Sequence, residues 1–284
     1  MKSKKTCAAD FEKIYPLLQE FDSPHSLEDW KRIFLYQWDG TRDFIGFHLE
    51  HHGNVVGFMG LIFSCRYHNN RQYQFCNITS LIVKKNYRPA TVLLIRKLKT
   101  IENTIFTGLC PIAASYQLFT LLGFASYEQF VVLIPTVNRW LGLTSKIKMS
   151  EQPFLCDQLD EENKRIIKDH ENLACHTMLF TLNDNHCLVI YKIIQQKYCK
   201  ISIKKIILLY ISNLTMFNNH IHTILKFFNQ KFGLFSIVYA DSRFINKSKI
   251  LFTTRKTINP PRIYSSPYSE TIEIDKLYSE SVLL

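Results

Sequence analysis

Between Leu81 and Leu94 the chain reads Leu-Ile-Val-Lys-Lys-Asn-Tyr-Arg-Pro-Ala-Thr-Val-Leu-Leu. An apolar run of strand type is followed by a short basic turn and then by a second apolar run that opens on small residues. Branched apolar residues suit a pleated strand, and Pro89 suits the first helical position, where its missing N–H costs least. The stretch therefore predicts a strand that turns directly into a helix, which commits the chain to a sheet covered by helices. A helix start leaves backbone N–H groups unpaired and carries partial positive charge, so a pyrophosphate fits such a turn.

The charge around that turn is one-sided. The chain carries 35 Lys and Arg against 24 Asp and Glu, a formal charge of +11. From His51 to Ile101 there is no acidic residue, while Arg66, Arg71, Lys84, Lys85, Arg88, Arg96, Lys97 and Lys99 all fall in that span. Such a field draws in a polyanion, whether a phosphorylated cofactor, a nucleic acid or an anionic lipid surface. A plain solvated basic face has the same composition, so the charge alone does not choose among them.

Apolar spacing places the other elements. Phe11, Ile14, Leu17 and Leu18 have a helical period, and Ser26-Leu27-Glu28-Asp29 is a capping box that opens a second helix through Trp30, Ile33 and Phe34. Phe44 to Leu49 and Val55 to Ser64 flank His52-Gly53-Asn54 as a hairpin, and Gln74 to Val83 is a further strand. Ala90 to Ile101 reads as a helix, Thr104 to Leu109 as a strand, Ser115 to Leu122 as a helix and Phe130 to Ile134 as a strand. A meander feeding a strand–helix–strand crossover implies a mixed sheet.

The order recurs. Glu161 to His170 reads as a helix, Cys175 to Thr181 and Cys187 to Ile194 as a hairpin, and Lys205 to Ile211 as a strand. Phe217 to Phe232 reads as a helix stopped by Gly233, and Leu234 to Asp241 as a strand. At 284 residues the chain exceeds one ordinary domain of about 100–200 residues. The expected division is a first domain over 1–140, a linker over 141–159, a second and truncated domain of related fold over 160–260, and an extended tail over 261–284. Leu277, Tyr278, Val282, Leu283 and Leu284 make that tail costly to leave wet, so it is expected to dock on the core.

No stretch reaches the ~18 consecutive apolar residues of a membrane helix, and Met1-Lys2-Ser3-Lys4-Lys5 leads into Ala8 to Lys13 rather than into an apolar signal core. A cytoplasmic chain is expected. The eight cysteines, Cys7, Cys65, Cys76, Cys110, Cys156, Cys175, Cys187 and Cys199, form no Cys-x-x-Cys pair and mostly sit in apolar runs. This pattern implies reduced, largely buried thiols rather than a disulfide framework.

In four places the sequence resembles the GNAT (N-acetyltransferase) superfamily. Gly53-Asn54-Val55-Val56-Gly57-Phe58-Met59-Gly60 resembles the family's second and third strands, and Asn77 to Val83 its fourth. Tyr87-Arg88 resembles the start of its pyrophosphate loop, and Leu121-Leu122-Gly123-Phe124 the end of its last helix. The whole chain is also similar to bacterial tandem GNAT-like proteins, through Lys168-Asp169-His170, Cys175 to Leu179 and Leu277-Tyr278-Ser279-Glu280. The resemblance implies an α/β (α+β) fold with a mixed, mostly antiparallel sheet flanked by helices, followed by a second, truncated copy. It also implies acetyl-CoA or another acyl-CoA as co-substrate, without a metal, and direct transfer of the acyl group to an amine or hydroxyl of a small molecule or sugar.

The resemblance assigns Leu81, Ile82 and Val83 to the pantetheine and thioester, and Tyr87, Arg88, Pro89, Ala90, Thr91 and Val92 to the pyrophosphate. Two departures stand out. Thr91 and Leu93 occupy the positions of the family's loop glycines, and Phe119 stands where a Tyr often serves as general acid; Tyr116, one turn earlier, is the candidate substitute. Asp169, His170 and His176 are candidates for the base, as a carboxylate beside imidazoles. Asn77, Ser80 and Cys110 are candidates for the acceptor side. Zinc spacing is incomplete around Cys175, and no nucleic-acid motif accompanies the basic span. A catalytically degenerate acyl-CoA-binding or scaffold module is the alternative reading, and nucleic-acid binding the third. The oligomeric state is not legible.

Overall fold

The computed structural model describes residues 1–21, 25–36, 38, 42–68, 71–137, 146–151, 159–198, 201–246, 250, 252–269 and 272–284. The uncharged run Val55 to Ser64 forms most of β3 (Asn54–His68) and is buried throughout, so both faces of this strand are covered. On one face Phe58 stacks against Phe34 of α2 (Leu27–Leu35), with ring centroids 5.7 Å apart, and Phe34 in turn meets Phe11 of α1 (Phe11–Leu18). On the other, Met59, Leu61 and Phe63 share a core with Leu94 and Ile95 of α3 (Thr91–Arg96) and Phe119 of α4 (Ala113–Leu121).

Around β3 the strands run β1 (Lys2–Thr6), β2 (Gly46–His51), β3 and β4 (Arg71–Val83), all antiparallel, then β5 (Thr104–Gly108), parallel to β4 across the α3 crossover. The basic start of the chain is thus a strand. Lys4 and Lys13 both ion-pair with Glu50 of β2. The capping box at α2 forms as its sequence predicts: the Asp29 N–H donates to Ser26 Oγ at 3.2 Å, and the Ser26 N–H donates to the Asp29 carboxylate at 2.8 Å. Ser26→Ala is expected to cost about 1 kcal/mol, seen as a Tm lower by a few degrees in thermal unfolding.

Two helices differ from their expected extents. In place of one helix over 90–101, Lys85–Ala90 and Lys97–Thr100 are tight helical turns on either side of α3. The Thr91 and Thr100 hydroxyls each donate to the carbonyl three residues back, at 2.7 Å, a side-chain bond that competes with a regular helix. The helix expected over 217–232 is broken at His220 into α6 (Leu214–Asn219) and α7 (Ile221–Phe232). Asn218 Nδ2 there donates to the Phe244 carbonyl as well as to that of Leu214.

The largest difference concerns which strand completes which sheet. Phe130 to Ile134, expected to close the first fold, lies in β6 (Ala125–Pro135), which pairs with β11 (Ser236–Asp241) in the register Ile237↔Pro135 to Asp241↔Val131. The edge of β5 is taken instead by β12 (Thr254–Ser265), with Ile263 opposite Gly108. The contacts divide accordingly: one unit is Met1–Tyr127 with Asn259–Leu284, the other Glu128–Ile258. A Cβ on Gly108 would lie 2.9 Å from Ile263 Cγ1, so this close pairing requires glycine.

In the second unit, α5 (Glu161–Asp169) precedes an antiparallel meander of β8 (His176–Leu182), β9 (Asn185–Tyr198) and β10 (Ile201–Ile211). The crossover through α6 and α7 then leads to β11, parallel to β10, and the short β7 (Lys148–Ser150) pairs with β8. Phe217, Leu225 and Phe228 pack with Val189, Leu208 and Val238 as its core. Both units thus carry a mixed, mostly antiparallel sheet flanked by helices, in the same order of meander, crossover and antiparallel closing strand. The expected linker 141–159 lies outside the described residues except for 146–151 and 159, as do Cys156 and Cys199.

Back in the first unit, the C-terminal segment shares the sheet face of α1 and α2 and covers the part of it over β5 and the Tyr73 end of β4. Ile274 packs with Tyr73, Phe75 and Ile105, and Arg66 meets Asp275 at 2.6 Å with both side chains largely buried. Leu277, Tyr278, Val282 and Leu283 are buried, the last two in α8 (Glu280–Leu283).

Candidate functional site

β4 and β5 part company midway. Their parallel register runs from Gln74↔Thr104 to Asn77↔Thr107 and stops, while β4 continues to Val83 alongside β3 alone. Asn77 sits at the crotch of this fork, buried, with Nδ2 donating to the Thr107 carbonyl at 3.4 Å and to its hydroxyl at 3.3 Å. Beyond it, no strand among the described residues takes up the backbone groups that β4 turns toward β5.

A bulge lies just past the crotch. Phe58 pairs with Ile82 but Gly60 with Thr79, so β4 carries one residue more than β3 between those pairs. Ser80 takes up the excess at φ +50°, a left-handed conformation that costs a non-glycine residue on the order of 1–3 kcal/mol. Such bulges re-aim side chains and interrupt pairing beside binding sites. Gly60 makes room opposite: a Cβ there would lie 2.9 Å from Thr79 Cγ2.

The fork encloses a cavity of about 240 Å³ that passes through the plane of the sheet. Ile78, Ser80 and Leu81 form one wall, and Gly108 with Cys110 the other. Phe119 of α4 lines it from one face, and Trp30 of α2 with Phe21 from the opposite face. A larger cavity of about 440 Å³ lies at the other end of β5, among Leu98, Thr104 and Phe124. It has neither the unpaired strand edge nor the bulge, so the smaller one is the candidate site.

Glu280 also lines the fork. Its Oε2 is out of contact with solvent and has no hydrogen-bond partner among the described residues. Burial pushes its carboxyl up to about 7, against the opposing pull of its own backbone N–H, Arg262 and the Cys110 thiol, which donates to it. Cys110 is an exposed residue, but its thiol meets this buried carboxylate; burial first, and the Glu280 charge second, raise it to about 11.

The residues singled out in the sequence divide between the two units. Ser80 and Cys110 line the cavity and Asn77 pins its apex. Leu81, Ile82 and Val83 form the half-buried arm of the fork. Tyr87, Arg88, Pro89 and Ala90 lie in the tight turn at its open end, and Thr91 and Val92 begin α3. Within that turn the Tyr87 N–H donates to the Lys84 carbonyl at 2.8 Å and the Thr91 N–H to the Arg88 carbonyl, so these two amides are already paired. Tyr116 packs beside α4's core and meets Ser126 Oγ at 3.0 Å through its hydroxyl; it does not line the cavity.

Asp169, His170 and His176 belong to the second unit, and none lines the cavity of the first. His170 is buried at the end of α5 with Nδ1 2.7 Å from the Ile166 carbonyl. His176 stacks on Tyr191 with centroids 5.4 Å apart, and burial lowers its imidazole below the usual range. Among the described residues no group of three His, Cys, Asp or Glu could hold a metal ion.

Glu280 ends the Leu277-Tyr278-Ser279-Glu280 stretch that carries part of the sequence resemblance, but that stretch assigns it no role. The available signal is a single carboxylate among Leu277, Tyr278, Val282, Leu283 and Leu284, since an acid within a segment this apolar is buried with it unless it finds solvent.

No protein-family model matches the sequence, and no curated protein is similar to it at a significant level. Solved structures do match. A GCN5-related N-acetyltransferase from Anabaena variabilis superposes with a TM-score of 0.62 at 13% identity, over 93% of this chain and 72% of that one. One from Kribbella flavida gives 0.60 at 12% identity, over 93% and 70%. The N-myristoyltransferase of Saccharomyces cerevisiae, solved with bound myristoyl-CoA, gives 0.51 at 9% identity, over 93% and 82%. Two meanders each closed by a strand from the other half of the sequence, a forked fourth and fifth strand, and these superpositions lead to one conclusion: the fold is that of the GNAT superfamily.

Proposed function

We propose that this chain is an acyl-CoA-dependent acyltransferase that moves the acyl group directly to an amine or hydroxyl of a small molecule or sugar. The observation that carries the reading is the fork itself. An unpaired strand edge with a bulge at Ser80, opening on a cavity lined from both faces, lets a thioester arm lie along β4 while an acceptor reaches it from the side of Trp30 and Phe21. The structural neighbours named as acetyltransferases and as an N-myristoyltransferase with bound myristoyl-CoA support it.

The residues present fit the co-substrate. Leu81 to Val83 supply apolar side chains and an unpaired backbone edge for a pantetheine arm. At the open end Lys84, Lys85 and Arg88 come next in the chain, Lys85 and Arg88 being exposed. Because two of the turn's amides are already paired, the phosphates would be met chiefly by these cationic side chains rather than by a glycine-lined cradle. Acyl-CoA supplies an activated thioester carbonyl. The chain's own part is to align it, keep water out with Phe119 and Trp30, and accept the nucleophile's proton.

The test is calorimetry of the full chain with acetyl-CoA and longer acyl-CoAs. Micromolar binding is expected, and the double variant Lys85→Ala/Arg88→Ala should weaken it roughly tenfold and flatten its salt dependence. No binding by the folded protein would sink the reading. Binding without thioester loss across an acceptor panel would identify a scaffold module instead.

A further inference from the structure

We propose that Glu280 Oε2 is the proton acceptor for the nucleophile that enters the β4–β5 fork. The assignment rests on the acyltransferase reading and names the residue that reading lacks. Among the described residues that line the cavity, Glu280 is the one carboxylate side chain. Its outer oxygen is shielded from solvent and has no hydrogen-bond partner there, although an ionisable oxygen is costly to bury unpartnered. A fold that only needed to anchor α8 could use Val282 and Leu283 for that, as it does. A carboxylate oxygen left without a partner inside a cavity is explained by a proton that arrives with a ligand.

The surroundings agree on geometry and charge. The cavity's other polar walls are the Thr79 and Ser80 hydroxyls, the Cys110 thiol, Ser115 and His25. Around Glu280 the charged and titratable groups are Cys110 after β5, Arg262 of β12 and Lys276 of the C-terminal segment, the last two acting on the same Cys110–Glu280 pair. Arg262 and Lys276 are buried, at 6% and 4% exposure. Arg262, with the Cys110 thiol and Glu280's own backbone N–H, keeps the carboxylate from becoming so basic that it holds its proton permanently, while burial keeps it from the low value of a surface glutamate. A base poised near neutral pH is the state in which proton transfer is fastest.

In the transfer step the nucleophile's lone pair forms a bond to the thioester carbon, and its N–H or O–H proton passes to Glu280 Oε2. The C–S bond then breaks with its electron pair on the CoA sulfur, which takes a proton from water, and Glu280 returns its own proton to solvent. The products are the acylated acceptor and free CoA.

The experiment compares the full wild-type chain with Glu280→Gln and Glu280→Asp. Acetyl-CoA binding is followed by calorimetry, turnover by CoA thiol release with paired small amines and alcohols, and Cys110 alkylation by peptide mass. Expected are unchanged acetyl-CoA binding in both variants and a kcat/KM that falls about 10²–10⁴-fold in Glu280→Gln, with partial return in Glu280→Asp. The wild type should show a rising kcat/KM limb centred near pH 7, absent in Glu280→Gln, and Cys110 should alkylate faster in Glu280→Gln once the neighbouring charge is gone. A role confined to packing would leave the pH limb in place. Normal acetyl-CoA binding with Glu280→Gln turnover within about threefold of wild type, the limb retained, overturns the assignment alone; so does turnover of no acceptor in the panel. Failure of the wild type to bind any acyl-CoA overturns the acyltransferase reading and this assignment together.

Discussion

Deleting residues 259–284 is expected to unfold the first unit while leaving the second able to unfold cooperatively on its own. The deletion removes β12 from the edge of β5 and takes Ile263, Ile274, Leu277, Tyr278, Val282 and Leu283 out of the interior. Each buried side chain of this size is worth about 1.5–3 kcal/mol. Together they match or exceed the roughly 5–15 kcal/mol by which a whole domain is stable, even after the discount for a compact unfolded state. Losing the segment also strips the cover from Tyr73, Phe75 and Ile105 and leaves Arg66 without Asp275. Hydrogen exchange measures this unit by unit: amides of β3 and β4 should lose protection, while those of β9 and β10 keep theirs. Protected β3 and β4 amides in the truncated chain would refute it. The same reasoning extends to residues 1–140 expressed alone, which lack both β12 and α8.

Glu280→Gln is expected to stabilise the protein at pH 8 while abolishing most of its activity. The folded carboxyl titrates near 7, above its ordinary value of 4.5, because burial disfavours the charge. Between those two values the folded state holds more protons than the unfolded state, so stability falls as pH rises through that window. Above about pH 7 the full penalty is present, and below about pH 4.5 it vanishes. At about 1.4 kcal/mol per pKa unit the upper bound is roughly 3 kcal/mol. A neutral amide carries no such penalty, and Arg262 retains other contacts. Urea unfolding at pH 4.5, 6 and 8 should therefore show the variant's advantage growing with pH. An advantage that is flat across that range would mean the carboxyl is not held up by burial. Stability gained at the expense of turnover marks a group kept for chemistry.

Both expectations depend on the C-terminal segment, whose place in the fold was the part least legible in the sequence. Local patterns carried well. The Ser26–Asp29 capping box, the Gly53 hairpin and the strand leading into the Lys84–Arg88 turn all lie where short-range spacing put them, because each is decided within a few residues. Pairing was another matter. Nothing in Phe130 to Ile134 or Ile263 to Ser265 says which sheet edge each will join, since the register of an apolar strand is fixed by partners far away in sequence.

The candidate site was legible in the same uneven way. Asn77, Ser80 and Cys110 are gathered at the fork because β4 itself bears the first two and β5 leads directly to the third. The bulge at Ser80 has no glycine to announce it. Glu280 is separated from Cys110 by 170 positions of sequence, so only the folded chain brings carboxylate and thiol together. Asp169, His170 and His176 are neighbours in sequence, but neighbouring titratable groups need not share a cavity, and His170 is already engaged with the Ile166 carbonyl.

The exchange of closing strands also sets a timetable for synthesis. The second unit is one continuous stretch, 128–258, and can close as soon as β11 has met β6. The first must wait for Asn259 and the residues after it. At about 5–20 residues per second that delay is on the order of ten seconds. Throughout it β5 holds an open edge beside Ile105 and Phe106, the arrangement that invites pairing with a stray strand. Of the two units, the one whose synthesis starts first is the last to be finished, and a nascent chain halted near residue 258 should be the species that chaperones hold.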